Sequence, residues 1–587
     1  MRKIKCKLYN EPDYSLSAQQ QILYNRGIPV EKQEEWLNAG WGDMISYKEM
    51  HDPALNKIIE IIHRCVENNE SIIVNIDCDV DGYTSAAIFI NFMYHHYPEY
   101  TESYIKWIHH QGKQHGLFDI MDEIIEASPS VAFCADSSSN DIEQHKILAE
   151  HNIECVILDH HEVSIDTKDS PACIVNIQEN DYPNKNLTGA GVVFKFIEAY
   201  SDKYHLDSYW KELSDLAFIG DCGDMASYKD KEIRALTKIG CDNFKNPFLV
   251  GLANAHDYVV EKRNGLNYLS AAFSVCPWIN ATCRTGEMKE KQLVFAAMLE
   301  QNKDSIVPSS KRGHKGEPVS LVEEAILVAE RIKRRQTDAQ NEAMAYIEHQ
   351  IDDNNLLDNA MLFLIDEEGK IDSGVRGLAA NKAQAEYQRP SAVLTPVENE
   401  NGEVELHGSM RNYSLSVNQD LKRTLESTGL VRVAGHANAA GIFILEKDLN
   451  AVNKKLNEAY KDIDQTPVYW IDYSWTPRTV DTKRIIDIAN LNIYGQNVPE
   501  SFVEIYDIAL HPSMIQLMGK NKDTIKITLP NGVAIMMFRQ SEDLYNQMCE
   551  DNMVLDVCGK CNENIYNGIS TPQVMMESYE LKEEWIF

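Results

Sequence analysis

The sequence predicts an α/β chain with two lobes and a small β domain at its C-terminal end. Three patterns in the 587 residues predict this class. Short apolar runs alternate with helical stretches over about residues 67–225 and again over about 355–462. A segment without Gly or Pro, residues 319–352, separates the two regions, and short β-like runs follow from residue 463.

The first lobe follows a segment of short helical patterns, residues 1–66, in which KIIEIIHRCVENN is the clearest. The apolar runs SIIVNID, SVAFCAD and ECVILD then alternate with helical stretches, the first of which we expect to begin near Thr84. Short buried strands separated by helices indicate a parallel sheet. We therefore predict a parallel-sheet α/β domain over residues 67–318, in which 226–318 form a mostly helical extension.

The remaining elements follow from length and turn signals. Residues 319–352 predict one helix roughly 50 Å long, which would connect the two lobes. A second, smaller α/β domain is expected over 353–462. Turn signals at Pro530-Asn531-Gly532 and Asn567-Gly568 predict a small β-barrel or sandwich over 463–587.

Composition limits the class of protein. With 44% hydrophobic and 25% charged residues, the chain is of ordinary globular composition. No apolar run approaches the ~18 residues that span a bilayer, and the N-terminus has no secretory pattern. Thirteen scattered cysteines are typical of free thiols in a reducing compartment, so we expect a cytoplasmic protein without membrane partners. The pair Cys558 and Cys561 is a weak zinc signal, because a structural site needs four ligands.

The net charge of −34 disfavours loose binding to duplex DNA. It permits a nucleic-acid enzyme whose phosphate contacts are few and mediated by metal ions.

Acidic residues cluster where the first predicted strand ends. Asp77, Asp79 and Asp81 follow an apolar strand, and Gly82 allows a tight turn. Ligand sites of parallel sheets form beyond the carboxyl ends of the strands, and crowded carboxylates favour a hard divalent cation such as Mg²⁺ or Mn²⁺. A calcium-binding EF-hand loop is excluded, because it needs a Glu at position 88, which is Ile.

Two further strands end in the same way. SVAFCAD ends at Asp136, and ECVILD is followed by His160 and His161. A parallel sheet brings such strand ends together, which strengthens the prediction of a metal site. Carboxylates of the segment GDCGDM, Asp221 or Asp224, could complete a two-metal centre for phosphoryl displacement.

These segments resemble the DHH phosphoesterase superfamily and, within it, the RecJ-like exonucleases. DCDVDGYTS, ADSSS, LDHHE and IGDCGDM are similar to the four motifs of the superfamily, and this alignment prefers Asp224 and leaves Asp221 open. PWINATCRTG resembles a RecJ stretch, with Arg284 at its Arg position and Cys283 where Gly is usual. HGSMRNYSLSVNQDL and VAGHANAAGI are similar to motifs of the DHH-associated domain, with Ala434 replacing a Gly, and the chain end resembles an OB-fold.

The resemblance implies a metal-dependent 5′→3′ exonuclease on single-stranded DNA. Two Mn²⁺ or Mg²⁺ ions would be held by acidic and His ligands, and His161 and His436 would stabilise the phosphate. Arg284, Ser409, Arg411, Gly435 and His436 would bind the substrate, with Asp136, His160, His161 and His436 as catalytic residues. The six ligand positions would be Asp77, Asp79, Asp81, Asp136, His160 and Asp224.

Simpler interpretations stay open at this point. Alone, Arg284 and His436 are typical surface residues, and Trp278 and Tyr413 are more typical of core packing than of base stacking. Two other functions are a phosphodiesterase acting on short oligonucleotides or cyclic dinucleotides and a catalytically inactive replication scaffold. Further expected partners are a single-strand-binding protein or a helicase, and the departures from the motifs favour a phage or prophage source.

Overall fold

The computed structural model describes residues 5–112, 114–399 and 401–583. In chain order, the strands are β1 (Lys5–Leu8), β2 (Ile72–Ile76), β3 (Ile105–His109), β4 (Val131–Ala135), β5 (Glu154–Asp159), β6 (Cys173–Asn176), β7 (Ile306–Pro308), β8 (Pro318–Ser320), β9 (Leu362–Ile365), β10 (Ser391–Glu398), β11 (Val404–Arg411), β12 (Val431–Gly435), β13 (Ala439–Leu445), β14 (Val468–Ile471), β15 (Tyr473–Trp475), β16 (Val503–Ala509), β17 (Ile515–Met518), β18 (Thr524–Thr528), β19 (Ala534–Phe538), β20 (Met553–Tyr566) and β21 (Ile569–Glu583).

The α-helices are α1 (Ala18–Asn25), α2 (Gln33–Leu37), α3 (Pro53–Asn68), α4 (Val80–His96), α5 (Pro98–Tyr104), α6 (Met121–Ala127), α7 (Ile142–Glu150), α8 (Gly189–Tyr204), α9 (Ser214–Gly223), α10 (Lys231–Asp242), α11 (Pro247–Ala255), α12 (Asp257–Lys262), α13 (Tyr268–Ser274), α14 (Cys276–Thr285), α15 (Met288–Ala296), α16 (Leu321–Asp353), α17 (Ser373–Tyr387), α18 (Leu421–Glu426), α19 (Leu449–Tyr460), α20 (Thr482–Ala489) and α21 (Glu542–Met548).

The described chain divides into two compact units. Unit I comprises Glu35–Gln336 and Asn492–Pro499. Unit II comprises the described residues up to Glu34, Thr337–Leu491 and the residues from Glu500 onward.

A five-stranded parallel sheet forms the centre of unit I, in the order β3-β2-β4-β5-β6. Every residue of β2 and β4 is buried, because helices cover both faces of the sheet, as all-parallel sheets require. Phe89 of α4 stacks on Phe133 of β4 on one face, with the ring centroids 4.0 Å apart. The predicted parallel α/β fold is therefore confirmed, and the bounds 67–318 stay a prediction.

The start of α4 differs from the prediction. The helix begins at Val80, with Asp79 as its N-cap, and not near Thr84. The Asp79 carboxylate accepts a hydrogen bond from the Gly82 amide at 3.1 Å, which satisfies one of the free amides of the first helical turn. Asp81 consequently lies inside the first turn of a helix, so the three aspartates do not continue the strand.

The long helix is also confirmed, because α16 runs unbroken over 33 residues. Unit II contains a second five-stranded sheet in the order β12-β13-β11-β10-β9. Only the β9–β10 pair of this sheet is parallel, and its other neighbours are antiparallel.

The C-terminal segment forms a seven-stranded sheet in the order β15-β16-β20-β21-β19-β18-β17. Its longest pair, β20 and β21, is antiparallel with a register shift at Cys558/Gly559. This sheet fits the predicted OB-like β domain, and its closure into a barrel stays a prediction.

Two expectations from composition concern membranes and cysteines. Among the described residues, every helix is too short or too polar to cross a bilayer. All thirteen cysteines are free thiols. Neither Cys558 nor Cys561 belongs to a group of potential metal ligands within the described ranges, so the weak zinc signal has no structural support.

Candidate metal centre

The acidic and imidazole residues predicted from the strand ends converge at one edge of the unit I sheet. The Nε2 atom of His160 lies 3.1 Å from a carboxylate oxygen of Asp136 and 3.6 Å from one of Asp81. Asp224 lies 3.8 Å from the same nitrogen. Asp77 and Asp79 form a neighbouring group of possible ligands with His115. The structure thus brings together all six residues that the resemblance implied as metal ligands.

The N-terminus of α8 orients Asp81. The two carboxylate oxygens of Asp81 accept hydrogen bonds from the backbone amides of Gly189 (2.7 Å) and Ala190 (2.8 Å). These amides belong to the first turn of a 16-residue helix, where unpaired N–H groups and the helix dipole favour a negative charge. The Asp81 carboxyl group is therefore held in a fixed direction, although burial outweighs these hydrogen bonds and raises its pKa.

Three glycines allow the acidic residues to approach the backbone. A Cβ atom added at Gly82 would lie 2.5 Å from the Cβ of Asp77, and one at Gly189 would lie 2.4 Å from the Cβ of Asp136. A Cβ at Gly220 would lie 2.7 Å from an Asp81 oxygen. Each position requires glycine because of this close approach, although the backbone angles there are ordinary.

The turn after β5 is organised by Asp159. One of its oxygens accepts hydrogen bonds from the amides of His160 (2.8 Å) and His161 (3.2 Å) and contacts the Nδ1 atom of His161 at 2.8 Å. Its other oxygen accepts the Ser139 amide at 3.1 Å. Burial opposes the charge of Asp159, but the hydrogen bonds and nearby imidazoles prevail and lower its pKa. Asp159 is thus an anionic anchor that fixes the backbone of both histidines and the imidazole of His161.

Burial and mutual repulsion raise the pKa values of the clustered carboxyls. Burial is the largest cause at Asp136, followed by the charge of Asp81, and its pKa lies well above the ordinary value. The same causes raise the pKa of Asp224 to about 8. His161 differs, because burial opposes its charge but the hydrogen bond with Asp159 prevails and raises its pKa to about 9. A perturbed, coupled set of this kind is typical of functional sites.

The donor set fits a hard divalent cation. Asp77 Oδ1, Asp136 Oδ1 and His160 Nε2 are buried without a hydrogen-bond partner among the described residues. Unsatisfied buried polar atoms cost about 1–3 kcal/mol each. A divalent cation would satisfy these atoms and remove the repulsion between the carboxylates, and oxygen-rich donors suit Mn²⁺ and Mg²⁺.

The two carboxylates of the fourth motif occupy different environments. Asp221 is fully buried in α9, and one of its oxygens accepts a hydrogen bond from the Thr188 hydroxyl at 3.0 Å. Burial, followed by the charge of Asp81, raises its pKa well above the ordinary value. Asp224 follows α9 and belongs to the group formed with Asp81 and His160. The geometry therefore favours Asp224 as the residue that faces the centre.

Sequence analysis missed the histidines next to Asp77. The Nδ1 atom of His115 lies 2.5 Å from one Asp77 oxygen, and His110 lies 3.7 Å from the other. The hydrogen bond with Asp77 raises the pKa of His115 to about 11. Both residues follow β3, the strand adjacent to β2. The sequence carries a signal for His110 in the run IHH at the end of β3, whereas His115 lies in the following loop without such a pattern.

The predicted substrate residue of unit I, Arg284, belongs to α14 near the centre. The thiol of its neighbour Cys283 is buried and donates to the backbone carbonyl of Asp79 at 3.4 Å. Cys283 is therefore accommodated where the resembling family has Gly. The Nε atom of Arg284 is buried without a described hydrogen-bond partner. Trp278 instead packs on His256, with ring centroids 3.6 Å apart, which supports a packing role.

The predicted substrate residues of unit II meet at one end of its five-stranded sheet. A Cβ added at Gly377 of α17 would lie 2.8 Å from the Arg411 guanidinium and 3.7 Å from the Ser409 hydroxyl. Gly435 ends β12 with a φ of 124°, a conformation that favours glycine, and the exposed His436 follows it.

Lys422, which sequence analysis did not single out, donates to the Gly435 carbonyl at 3.2 Å. This lysine adds a cation beside the His436 loop. Tyr413 is 8% exposed, so it belongs to the core and is not an open stacking surface.

Fold and site together define an α/β protein with a buried carboxylate–imidazole centre at the carboxyl edge of a parallel sheet. Residues 71–220 match the N-terminal domain of the DHH family, and residues 471–578 match the RecJ OB domain.

Relatives extend this similarity over the whole chain. The SPbeta prophage-derived protein YorK of Bacillus subtilis strain 168, described as a single-strand DNA-specific exonuclease, is 31% identical over 98% of each chain. RecJ of the same organism, named a single-stranded-DNA-specific exonuclease, is 23% identical over 96% of this chain and 68% of its own. The structure is similar to RecJ from Thermus thermophilus in complex with Mn²⁺, with a TM-score of 0.70, 19% identity and coverage of 99% and 80%. The chain belongs to the RecJ-like family of DHH proteins.

Proposed function

We propose that this chain is a metal-dependent exonuclease that hydrolyses the phosphodiester bonds of single-stranded DNA from the 5′ end. One observation carries the proposal. Buried carboxylates crowd at a single sheet edge, with raised pKa values and with oxygen atoms that lack protein donors. Such a set binds divalent cations, and two relatives that match nearly the whole of this chain are named single-strand DNA-specific exonucleases.

The six residues around the centre would hold two Mn²⁺ or Mg²⁺ ions. Asp136 lies within 4 Å of both imidazoles and would be a central ligand of this set. The full ligand set would be Asp77, Asp79, Asp81, Asp136, His160 and Asp224. When bound, the ions would supply an activated water and charge stabilisation for an in-line displacement at phosphorus.

His161, next to the predicted metal ligand His160, would act on the phosphate. His161 is half-exposed, and Asp159 engages its Nδ1 atom, so its Nε2 atom is free to donate a hydrogen bond. Burial opposes the charge of His161, but the hydrogen bond with Asp159 raises its pKa to about 9 and favours the positively charged imidazolium. We therefore assign His161 the stabilisation of charge on the phosphate in the transition state.

Cations and backbone groups would seat the strand end. Arg284 follows Cys283, whose thiol donates to the Asp79 carbonyl. Its guanidinium is therefore suited to bind a phosphate near the ions. In unit II, Ser409 and Arg411 offer a hydroxyl and a forked guanidinium, a combination that matches a terminal phosphate. Gly435 allows close backbone approach, and His436 would donate to a phosphate oxygen.

The match to the RecJ OB domain supports a substrate longer than a dinucleotide, because such domains bind single strands along a groove. We propose single-stranded DNA in the cytoplasm as the substrate, with a single-strand-binding protein or a helicase as further partners.

Digestion of end-labelled strands tests the function. Single strands labelled at either end, with 5′-phosphate or 5′-hydroxyl, are incubated with Mn²⁺ or with EDTA beside a duplex and a dinucleotide. We expect Mn²⁺-dependent release of 5′ label first, resistance of the duplex, and no cleavage with EDTA. Faster turnover of the dinucleotide would establish the small-substrate phosphodiesterase instead. Absence of any cleavage with Mn²⁺ bound would favour the inactive scaffold.

A further inference from the structure

A second group of potential metal ligands lies at the opposite end of α4 from the carboxylate centre. His95 and His96 are the last two residues of this helix, and Asp207 caps the 3₁₀ turn Ser208–Leu213. The Nε2 atom of His95 lies 3.5 Å from one Asp207 oxygen, and that of His96 lies 3.8 Å from the other. One ligand atom from each of the three residues lies within 4.8 Å of the others.

His96 provides an independent indication of a ligand. Its side chain is only 8% exposed, and its Nε2 atom is buried without a hydrogen-bond partner among the described residues. The rings of Phe92 and Tyr209 pack edge-on against it, at centroid distances of 4.7 and 6.1 Å. The nitrogen nevertheless lies 3.8 Å from an Asp207 carboxylate oxygen, a distance too long for a hydrogen bond. A cation between these atoms would satisfy both.

Neighbouring groups fix the orientation of the other two ligands. The ring of His95 stacks on Tyr209, with centroids 3.6 Å apart and an interplanar angle of 1°. The Tyr209 amide donates to an Asp207 oxygen at 3.0 Å. Outer contacts of this type hold metal ligands in position.

We propose that His95, His96 and Asp207 form a second metal site, which binds Zn²⁺ or a chemically similar transition-metal ion. Two imidazole nitrogens and one carboxylate are the donors that Zn²⁺ prefers, whereas Mn²⁺ and Mg²⁺ prefer the oxygen-rich centre near Asp136. The half-exposed position of the site leaves room for water as a further ligand. The ion would tie the C-terminal end of α4 to the turn after α8.

The experiment counts bound Zn²⁺ by equilibrium dialysis and elemental analysis of the full chain in excess Mn²⁺, which occupies the carboxylate centre. The variants are Asp207→Asn, His95→Gln and His96→Gln, with His151→Gln at an exposed, unrelated histidine as the matched control. Asp207→Asn is the principal variant, because Asn is an equally good helix cap and keeps the turn folded.

We expect the unmodified chain and His151→Gln to retain one Zn²⁺ ion more than Asp207→Asn. Affinity for that ion should fall by more than about 10- to 100-fold, the loss typical of even outer-shell changes. Zn²⁺ should raise the melting temperature of the control but not of the three variants. The proposal is overturned if the unmodified chain retains no additional Zn²⁺, or if Asp207→Asn and a folded histidine variant both retain it.

Discussion

The two groups of predicted site residues, one in each unit, differ in how the fold holds them. Asp77, Asp81 and Asp136 of unit I are buried, and backbone amides, glycines and the turn around Asp159 fix the positions of the site residues there. The residues of unit II, Ser409, Arg411 and the exposed His436, lie at a sheet end where Gly377 admits the guanidinium. The difference matches the roles that we propose, chemistry at the buried centre of unit I and recognition of the strand end by the more open residues of unit II.

The largest expected effect is at Asp136. We predict that Asp136→Ala lowers the rate of Mn²⁺-dependent cleavage by at least about 100-fold, since it removes a central ligand of the proposed set. The measurement is initial rates on a 5′-phosphorylated single strand at saturating Mn²⁺. Retention of more than about a tenth of the activity would contradict the assignment of the centre.

Arg411→Ala tests whether the residues at the sheet end of unit II bind the strand end and leave the metal centre of unit I unchanged. Loss of a charge-assisted phosphate contact costs roughly 1.5–3 kcal/mol, or about 10- to 150-fold in rate. We expect a larger loss on 5′-phosphorylated than on 5′-hydroxyl strands, and an unchanged Mn²⁺ affinity by calorimetry. An equal loss on both strands would mean that Arg411 contacts the backbone generally, and a loss of metal binding would refute the comparison.

Gly189→Ala tests whether the centre depends on close backbone approach. The new Cβ would lie 2.4 Å from the Cβ of Asp136, so that carboxylate must move. We predict about a tenfold fall in Mn²⁺ affinity and in cleavage rate. Gly42→Ala is the matched control, because a Cβ there meets no atom within 4 Å. If both variants have the same Mn²⁺ affinity and cleavage rate, the centre tolerates a displacement of the Asp136 carboxylate.

The raised pKa values predict a pH dependence of metal stabilisation. Asp136 and Asp224 have pKa values above that of an unfolded Asp, so the metal-free fold holds protons that the unfolded chain releases. The contribution of Asp224 to stability is present at low pH and is lost as pH rises through its pKa of about 8.

Mn²⁺ replaces these protons, so the rise in melting temperature on adding Mn²⁺ should be larger near pH 8.5 than near pH 6. Scanning calorimetry measures the melting temperature at both pH values, with and without Mn²⁺. The variant Asp224→Asn should show a smaller difference between the two pH values. If the rise in melting temperature on adding Mn²⁺ is the same at both pH values, the assignment of Asp136 and Asp224 as metal ligands is contradicted.

The smallest effect is expected at Asp221. Burial raises the pKa of its carboxyl and so favours the neutral form, which Asn mimics, and Asp221→Asn should therefore retain cleavage within about threefold. Asp224→Asn should lower it by more than about tenfold. The reverse order, measured under the same conditions, would make Asp221 the ligand of the fourth motif.

Sequence patterns predicted the parallel sheet and its acidic edge well, because buried strands are short apolar runs and their ends share one edge. The same patterns misplaced the start of α4, since the cap at Asp79 is a local hydrogen bond and apolar periodicity does not report it. His115 and the amides of Gly189 and Ala190 were missed because their approach to Asp77 and Asp81 depends on tertiary packing.

The central claim is that the carboxylate edge of unit I holds the divalent ions. Its most direct test is a crystal soaked in Mn²⁺, in which anomalous scattering locates the bound ions. We predict two peaks within about 4 Å of each other, both in contact with Asp136. Peaks confined to other parts of the chain, or no peak beside Asp136, would contradict the claim.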